Sequence, residues 1–238
     1  MTDAFWEAHL DSLARDLERL RFPAPVAHIY NPLIYARGPI LQYFHLYAAA
    51  PREILFLGMN PGPFGMVQTG IPFGEVSLVR EYLRIDAPIA APSDGHPKRP
   101  VLGWACTRSE VSGRRLWGWI RRRFPRPMDF FDRHFVANYC PLAFLEAGGR
   151  NLTPDKLKCP QVDVLHARCD DALRELVDAL KVRRVIGVGQ FARKRAEVAL
   201  AGRGIRVDVI PHPSPANPAA NRGWDAAVDA ALSELNLL

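Results

Sequence analysis

The first twenty residues alternate apolar and charged positions with the period of an α-helix. Phe5, Leu10, Leu13, Leu17 and Leu20 follow one another at intervals of three to five residues, and acids and arginines occupy much of the opposite face. An apolar stripe with this spacing predicts a helix that packs one face on a hydrophobic core.

Farther along, short apolar runs alternate with longer amphipathic stretches. The runs lie at 26–30, 53–58, 134–139, 184–189 and 205–210, and most of them are predicted to be strands. The amphipathic stretches lie at 78–85, 116–124, 164–180 and 191–202, and they are predicted to be helices. This alternation predicts an α/β fold with a mostly parallel sheet covered on both faces, formed as one domain over residues 1–238.

Candidate site residues lie at or soon after the ends of three predicted strands. Met59 and Asn60 follow the run at 53–58, Asn138 lies at the end of 134–139, and His212 comes soon after 205–210. In an open parallel sheet, ligands bind beyond the carboxyl ends of the strands, where the loops converge. We therefore expect these residues to share one rim of the sheet, although they are far apart in the chain.

The chemistry of these side chains suits a planar polar ligand. His212 lies between Pro211 and Pro213, which restrict the backbone so that the imidazole can be aimed. The amide of Asn138 offers one donor and one acceptor to the edge of a base, and the amide of Asn60 can hold a water. A single histidine or asparagine more often packs or caps, so the prediction depends on their occurrence at one edge.

The charge of the chain raises the question of a polyanionic partner. The 31 Lys and Arg against 25 Asp and Glu give a net charge of +6. Seven arginines and one acid, Glu110, lie between Arg108 and Arg126, and a second basic cluster spans 181–195. Such clusters suit nucleic acid, but a solvated helix face is the commoner explanation, so charge leaves the question open.

The spacing of the cysteines and the hydropathy of the chain argue against a zinc protein, a secreted disulfide-bonded protein and a membrane protein. Cys106, Cys140, Cys159 and Cys169 are widely spaced without a CxxC pair, so neither a zinc site nor a secreted disulfide framework is indicated. No metal and no cofactor are expected. The sequence has no long uncharged apolar run and no signal-peptide pattern at its start. We expect no membrane association or secretion, and a location in the cytoplasm, near the nucleoid of a bacterium, or in the nucleus of a eukaryote.

Three long segments in a fixed order resemble one enzyme family. They are GMNPGPFGMVQTGIPFGEV from Gly58, NYCPLAFLEAGGRNLTP from Asn138 and HPSPANPAANRGW from His212, and SEVSGRRLWGW from Ser109 adds to them. Together they resemble the single-strand-selective monofunctional uracil-DNA glycosylases of the uracil-DNA glycosylase superfamily. The similarity runs from about residue 31 to the C-terminus. It implies a three-layer α/β/α fold around a central, mostly parallel four-stranded sheet.

The resemblance also implies an activity in base-excision repair. Members of this family extrude a damaged base from DNA and hydrolyse its N-glycosidic bond, which leaves an abasic site. The implied substrate is single- or double-stranded DNA that contains uracil, or oxidised uracils such as 5-hydroxymethyluracil. No lysine lies in the resembling catalytic motifs, so a lyase step is not expected. The implied protein is a monomer.

Site residues follow from the matching positions. The resemblance implies that Asn60 positions the attacking water and that His212 donates a hydrogen bond to uracil O2. It implies that Phe73 stacks on the base and that Asn138 reads its N3 and O4 edge. The backbone around Met59 and Gly62 would line the pocket beside C5.

The loop after His212 is implied to be the wedge that enters the duplex and fills the gap. The implied DNA-contacting residues are Pro213, Ser214, Pro215, Ala216, Asn217 and Arg222. Vertebrate members of the family have an arginine where this chain has Ala216, which fills an emptied stack poorly. We therefore expect activity on duplex DNA to lag activity on single strands more than in arginine-containing relatives.

Two other hypotheses remain at this point. A non-catalytic binder of single-stranded or damaged DNA would need the basic clusters and Phe73 but not His212 together with Asn60. A nucleotide-binding hydrolase is hinted at by GVGQFA from Gly187, but the full GxGxxG pattern is missing.

Overall fold

The computed structural model describes residues 2–237. Its helices are α1 (Asp3–Glu18), α2 (Pro32–Tyr35), α3 (Arg37–Tyr47), α4 (Met66–Thr69), α5 (Val76–Glu81), α6 (Val111–Arg123), α7 (Pro127–Phe131), α8 (Gln161–Leu180), α9 (Gln190–Ala199), α10 (Pro218–Asn221) and α11 (Trp224–Glu234). Its strands are β1 (His28–Tyr30), β2 (Ile54–Gly58), β3 (His134–Asn138), β4 (Ala143–Leu145), β5 (Asn151–Leu152), β6 (Arg184–Val188) and β7 (Arg206–Ile210).

The central sheet is parallel and contains four strands in the order β3-β2-β6-β7. These strands coincide with four of the five apolar runs, so the predicted parallel sheet is confirmed. All five residues of β2 are buried, as expected for an inner strand covered on both faces. In register, Gly58 pairs with Asn138, so the carboxyl ends of β2 and β3 meet at the same height.

Helices cover both faces of this sheet. On one face, the ring of Phe135 lies 5.0 Å from that of Tyr43 in α3. On the same face, a Cβ at Gly187 would meet the backbone nitrogen of Arg193 in α9 at 2.5 Å. On the other face, the ring of Phe56 lies 6.0 Å from that of Phe130 in α7. Because successive strand residues alternate in direction, these contacts define three layers, α/β/α.

The run at 26–30 belongs to a different sheet. Its last three residues form β1, which pairs antiparallel with β4, and β4 pairs antiparallel with β5. This strand is only three residues long, and Pro25 and Pro32 lie on either side of it. The small sheet places Leu142, the residue before β4, beside the loop that follows β2.

Helices were predicted less completely than strands. The predicted opening helix and those at 164–180 and 191–202 are confirmed as α1, α8 and α9. Helix α6 begins at Val111, five residues before the predicted start, and the stretch at 78–85 is helical only as far as Glu81 in α5. Helices α3, α7 and α11 were not predicted. Among the described residues, no helix is long and apolar enough to cross a membrane.

Candidate active site

A cavity of about 380 Å³ opens at the carboxyl ends of β2, β3 and β7. It is lined by Met59, Asn60, Pro61, Gly62, Pro63, Met66, Phe73, Glu110, Ser112, Asn138, Asn151, Thr153, His212, Ser214 and Pro215. The six residues predicted to perform catalysis or to bind the base all lie in this lining. Their convergence follows from the parallel sheet, because the three strands end at one edge.

The imidazole of His212 is held as a neutral hydrogen-bond donor. The backbone N–H of Ser214 donates to Nδ1 of His212 at 3.0 Å, so the ring proton lies on Nε2. Burial lowers the pKa of His212 to about 4. At neutral pH this side chain can therefore donate one hydrogen bond through Nε2 without a positive charge.

The amide of Asn60 is oriented by the small sheet. Its Nδ2 donates to the carbonyl of Leu142 at 3.3 Å. This bond turns Oδ1 to the other side, where it can accept a hydrogen bond from a water. An amide has no basic group in this pH range, so Asn60 can position a nucleophile but does not take its proton.

Phe73 forms an aromatic wall of the cavity in an unusual backbone conformation. Its φ is +54°, in the left-handed region that a bulky residue rarely adopts. Its ring centroid lies 6.2 Å from that of His212, with the planes inclined by 46°. The carbonyl of Phe73 lies against Gly113 of α6, where a Cβ would overlap it. Backbone strain of this kind is typical of functional sites.

The amide nitrogen of Asn138 has a hydrogen-bond partner, whereas its amide oxygen has none. Its Nδ2 donates to Sδ of Met66 at 3.2 Å. Its Oδ1 is buried and has no hydrogen-bond partner in the structure. A buried unpaired acceptor is costly, so a ligand that supplies a donor there gains binding energy.

The loop after His212 is braced from several directions. Arg115 of α6 donates to the carbonyl of Pro213 at 2.7 Å, and Nδ2 of Asn217 donates to the carbonyl of His212 at 2.9 Å. Pro213 is buried, so its side chain is not part of the exposed surface of this loop. The exposed tip consists of Pro215 and Ala216. Arg222 is also exposed and lies outside the cavity lining.

Comparison with known proteins identifies the family. The model of the uracil DNA glycosylase superfamily matches residues 44–236. The chain belongs to this superfamily. It is 50% identical, over its whole length and 86% of the relative, to the single-strand selective monofunctional uracil DNA glycosylase of Mus musculus. The protein of the same name from Bos taurus is 48% identical over 94% of this chain and 83% of its own length. These matches assign the chain to the single-strand-selective family within the superfamily.

A solved structure supports the fold of this superfamily member. The crystal structure of wild-type SMUG2 from Pedobacter heparinus matches with a TM-score of 0.67 and 17% sequence identity. The match covers 96% of this chain and 97% of the other. At that identity, the likeness concerns the fold alone.

Several cavity residues of this superfamily member escaped the sequence analysis, above all Glu110. A Cβ built on Gly62 would lie 2.6 Å from its Oε2, so the missing side chain at Gly62 makes room for the carboxyl group. Burial raises the pKa of Glu110, and the nearby N–H groups of Ser112 and Phe64 oppose this shift. Glu110 was noted only as the single acid within a run of arginines, although it lies in the segment that begins at Ser109. Met66, Asn151 and Thr153 lie in the other segments that resemble the family, but no role was predicted for them.

The first basic cluster, between Arg108 and Arg126, is largely paired with acidic side chains. Four of its seven arginines are ion-paired, as Arg121–Glu81, Arg122–Asp225, Arg123–Asp229 and Arg126–Asp129. Arg108 instead lies over the ring of Phe64 at 3.9 Å, in the loop that lines the cavity. Three arginines of the second cluster are also paired with acids that lie outside it, as Arg184–Asp208, Arg193–Glu197 and Arg195–Asp170. The acidic partners reduce the net positive charge that both clusters present.

The described residues also hold no assembled metal site. Across residues 2–237, no group of three or more His, Cys, Asp or Glu is arranged to hold a metal ion. The four cysteines are free thiols.

Proposed function

We propose that this chain removes uracil from DNA by hydrolysing its N-glycosidic bond, leaves an abasic site and has no lyase activity. The observation that carries the proposal is the convergence of His212, Asn60, Asn138 and Phe73 on one cavity. The curated relatives, named as uracil DNA glycosylases at about half identity over nearly the whole chain, support the same function.

Recognition of the base uses three sides of the cavity. An extruded base loses a few kcal/mol of stacking and pairing, part of which the ring of Phe73 restores by stacking. The unpaired Oδ1 of Asn138 accepts the N3–H of uracil, and its Nδ2 donates to O4. This contact satisfies a buried acceptor that otherwise has no partner.

Chemistry at the sugar proceeds by hydrolysis. As the C1′–N1 bond breaks, its electron pair moves to the base, which leaves as an anion with charge on O2. The neutral His212 donates from Nε2 to that oxygen, and this hydrogen bond is stronger in the transition state than in the ground state. Oδ1 of Asn60 holds the water whose oxygen bonds to C1′, and the water releases its proton to solvent. No lysine lines the cavity in the described structure, which is consistent with the absence of a Schiff-base step.

Single-turnover excision of uracil from an oligonucleotide tests the proposal. His212→Ala and Asn60→Ala are each expected to lower the rate about a hundredfold to a thousandfold, with little effect on DNA affinity, because each removes a contact used in the transition state. His45→Ala, which changes a histidine outside the cavity lining, is the matched control. Full activity of either cavity variant contradicts its role. An unaltered chain that binds DNA and leaves uracil in place supports the non-catalytic binder instead.

The cavity wall beside Gly62 bears on the choice of lesion. We expect 5-hydroxymethyluracil to be excised and thymine to be rejected. The hydroxyl of a 5-hydroxymethyl group can replace a water near Gly62 and Glu110, whereas the 5-methyl group of thymine displaces that water without replacing its hydrogen bonds. Excision rates for uracil, 5-hydroxymethyluracil and thymine in matched oligonucleotides measure this. Equal rates for thymine and 5-hydroxymethyluracil contradict the expectation.

The proposal extends to the oligomeric state, the cofactor requirement and the cellular location of the protein. We expect a monomer that acts without a cofactor on single- or double-stranded DNA. We expect it in the cytoplasm of a bacterium, near the nucleoid, or in the nucleus of a eukaryotic cell.

A further inference from the structure

An asparagine that reads a pyrimidine edge faces an ambiguity. Its amide has a donor on one side and an acceptor on the other, and a rotation by a half turn exchanges them. Uracil presents an N–H at N3 and an acceptor at O4, whereas cytosine presents an acceptor at N3 and an amino group at C4. A freely rotating Asn138 would therefore fit either base, so something must fix its orientation.

The structure holds a polar partner on only one side of this amide. Nδ2 of Asn138 donates to Sδ of Met66 at 3.2 Å. A thioether sulfur accepts hydrogen bonds and cannot donate them. On the other side, Oδ1 lies against Gly58, at the place that a Cβ of Gly58 would occupy, and has no hydrogen-bond partner. The donor therefore faces Met66 and the acceptor faces Gly58.

Met66 is itself held in a fixed position. Its side chain is buried, and it begins the short helix α4. The hydroxyl of Tyr35 donates to the carbonyl of Val67 at 2.7 Å, and Nε2 of Gln68 donates to the carbonyl of Pro63 at 2.9 Å. These bonds anchor the backbone on both sides of Met66, so its sulfur stays where Asn138 meets it.

We propose that Met66 is a specificity-determining residue whose sulfur fixes the amide of Asn138 in the orientation that accepts uracil and rejects cytosine. This inference rests on the proposed function. Binding of cytosine requires the reversed amide, with Oδ1 against Sδ. Two acceptors then face each other, and the Asn138 hydrogen bond to sulfur is lost. In the orientation that binds uracil, the donor side of the amide stays toward Met66 and donates its second N–H to O4.

Removal of the sulfur tests this role. Met66→Leu keeps an apolar side chain of similar volume and removes the acceptor. The ratio of cytosine to uracil excision, measured in matched oligonucleotides under single-turnover conditions, is expected to rise about threefold to tenfold, which is the range of one ordinary hydrogen bond. Met128→Leu, the same change at a side chain that is 54% exposed, is the matched control and is expected to leave the ratio unchanged.

A norleucine-substituted protein controls for the possibility that the leucine variant folds poorly. Replacement of methionine by norleucine throughout the chain exchanges each sulfur for a methylene and keeps the side-chain length. The same rise in the cytosine-to-uracil ratio is expected. An unchanged ratio, cytosine excision that stays below detection, or a loss of uracil excision without a relative gain for cytosine overturns the proposal. Failure of the unaltered chain to excise uracil refutes the proposed function instead, so the two failures are distinct.

Discussion

The charge state of His212 determines how this residue can act on a departing base. Burial lowers its pKa to about 4, and the Ser214 N–H occupies Nδ1, so the ring is neutral with its proton on Nε2. A protonated imidazole would act as a general acid and would be lost as the pH rises through its pKa. A neutral donor works by hydrogen bonding alone, and its contribution does not depend on protonation near neutrality.

The pH dependence of excision separates these two roles. We expect the single-turnover rate on uracil to be nearly level from pH 8 down to about pH 5, because His212 stays neutral above its folded pKa of about 4. The measurement is the rate across this range in buffers of constant ionic strength. A rate that falls by tenfold per pH unit above pH 6.5 would assign a protonated His212 to the chemistry and contradict the neutral donor.

The sequence predicted those site residues whose position follows from strand ends. Asn60, Asn138 and His212 were found because parallel strands end at one edge, and each residue lies at or just after such an end. Phe73 was found only through resemblance to the family, because it lies in a loop and owes its position to a contact with α6. Glu110 and Met66 were missed, since their roles depend on contacts with distant segments that no local pattern encodes.

At the scale of elements, α6 connects the base cavity to the wedge loop. Its Gly113 lies against the carbonyl of Phe73, and its Arg115 bonds the carbonyl of Pro213. The predicted start of α6 lay five residues too far along the chain, because Val111, Ser112 and Gly113 are weak helix formers. Contact with Phe73 explains why a glycine occupies this helical position despite its cost.

Two glycines on α6 provide a matched pair of substitutions. Gly113→Ala is expected to slow uracil excision at least tenfold and to lower stability by about 1–3 kcal/mol, because its Cβ overlaps the carbonyl of Phe73 and displaces the stacking ring. Gly118→Ala meets only the flexible end of Arg122, at 3.4 Å, and is expected to raise stability by about 0.5–1 kcal/mol with unchanged excision. Urea unfolding and single-turnover rates measure both. Equal behaviour of the two variants would mean that α6 does not position Phe73.

At the scale of the whole molecule, ion pairs between distant segments reduce the positive charge that the arginine run presents. Asp225 and Asp229 of α11 neutralise Arg122 and Arg123 of α6, more than a hundred residues earlier in the chain. A local run of arginines therefore overstated the free basic surface, and the same would hold for any helix packed beside an acidic one. The parallel sheet, by contrast, was predictable from local patterns, because alternation of strands and helices favours parallel strands joined by helical connections.

The histidines give the molecule a stability that depends on pH. Burial lowers the pKa of five of them, namely His9, His28, His134, His166 and His212. In the unfolded chain these groups titrate near 6.5, so below that pH the unfolded state binds more protons than the folded state. The stability that comes from keeping them neutral is complete above pH 6.5 and is lost as the pH falls toward the folded values.

Acidification from pH 7 to pH 5 is therefore expected to destabilise the fold, with about 2 kcal/mol from His212 alone. The paired carboxylates Asp11 and Glu53 do not cause this loss, since their pKa values are lowered from 3.8 and 4.5 by arginine partners and they stay ionised at pH 5. Glu110, whose pKa is raised by burial, shifts stability in the opposite direction. Urea unfolding at several pH values measures the slope, and His134→Gln, which removes one buried histidine, should make that slope shallower. A free energy of unfolding that stays level or rises between pH 7 and pH 5 would contradict the neutral, buried state of these histidines.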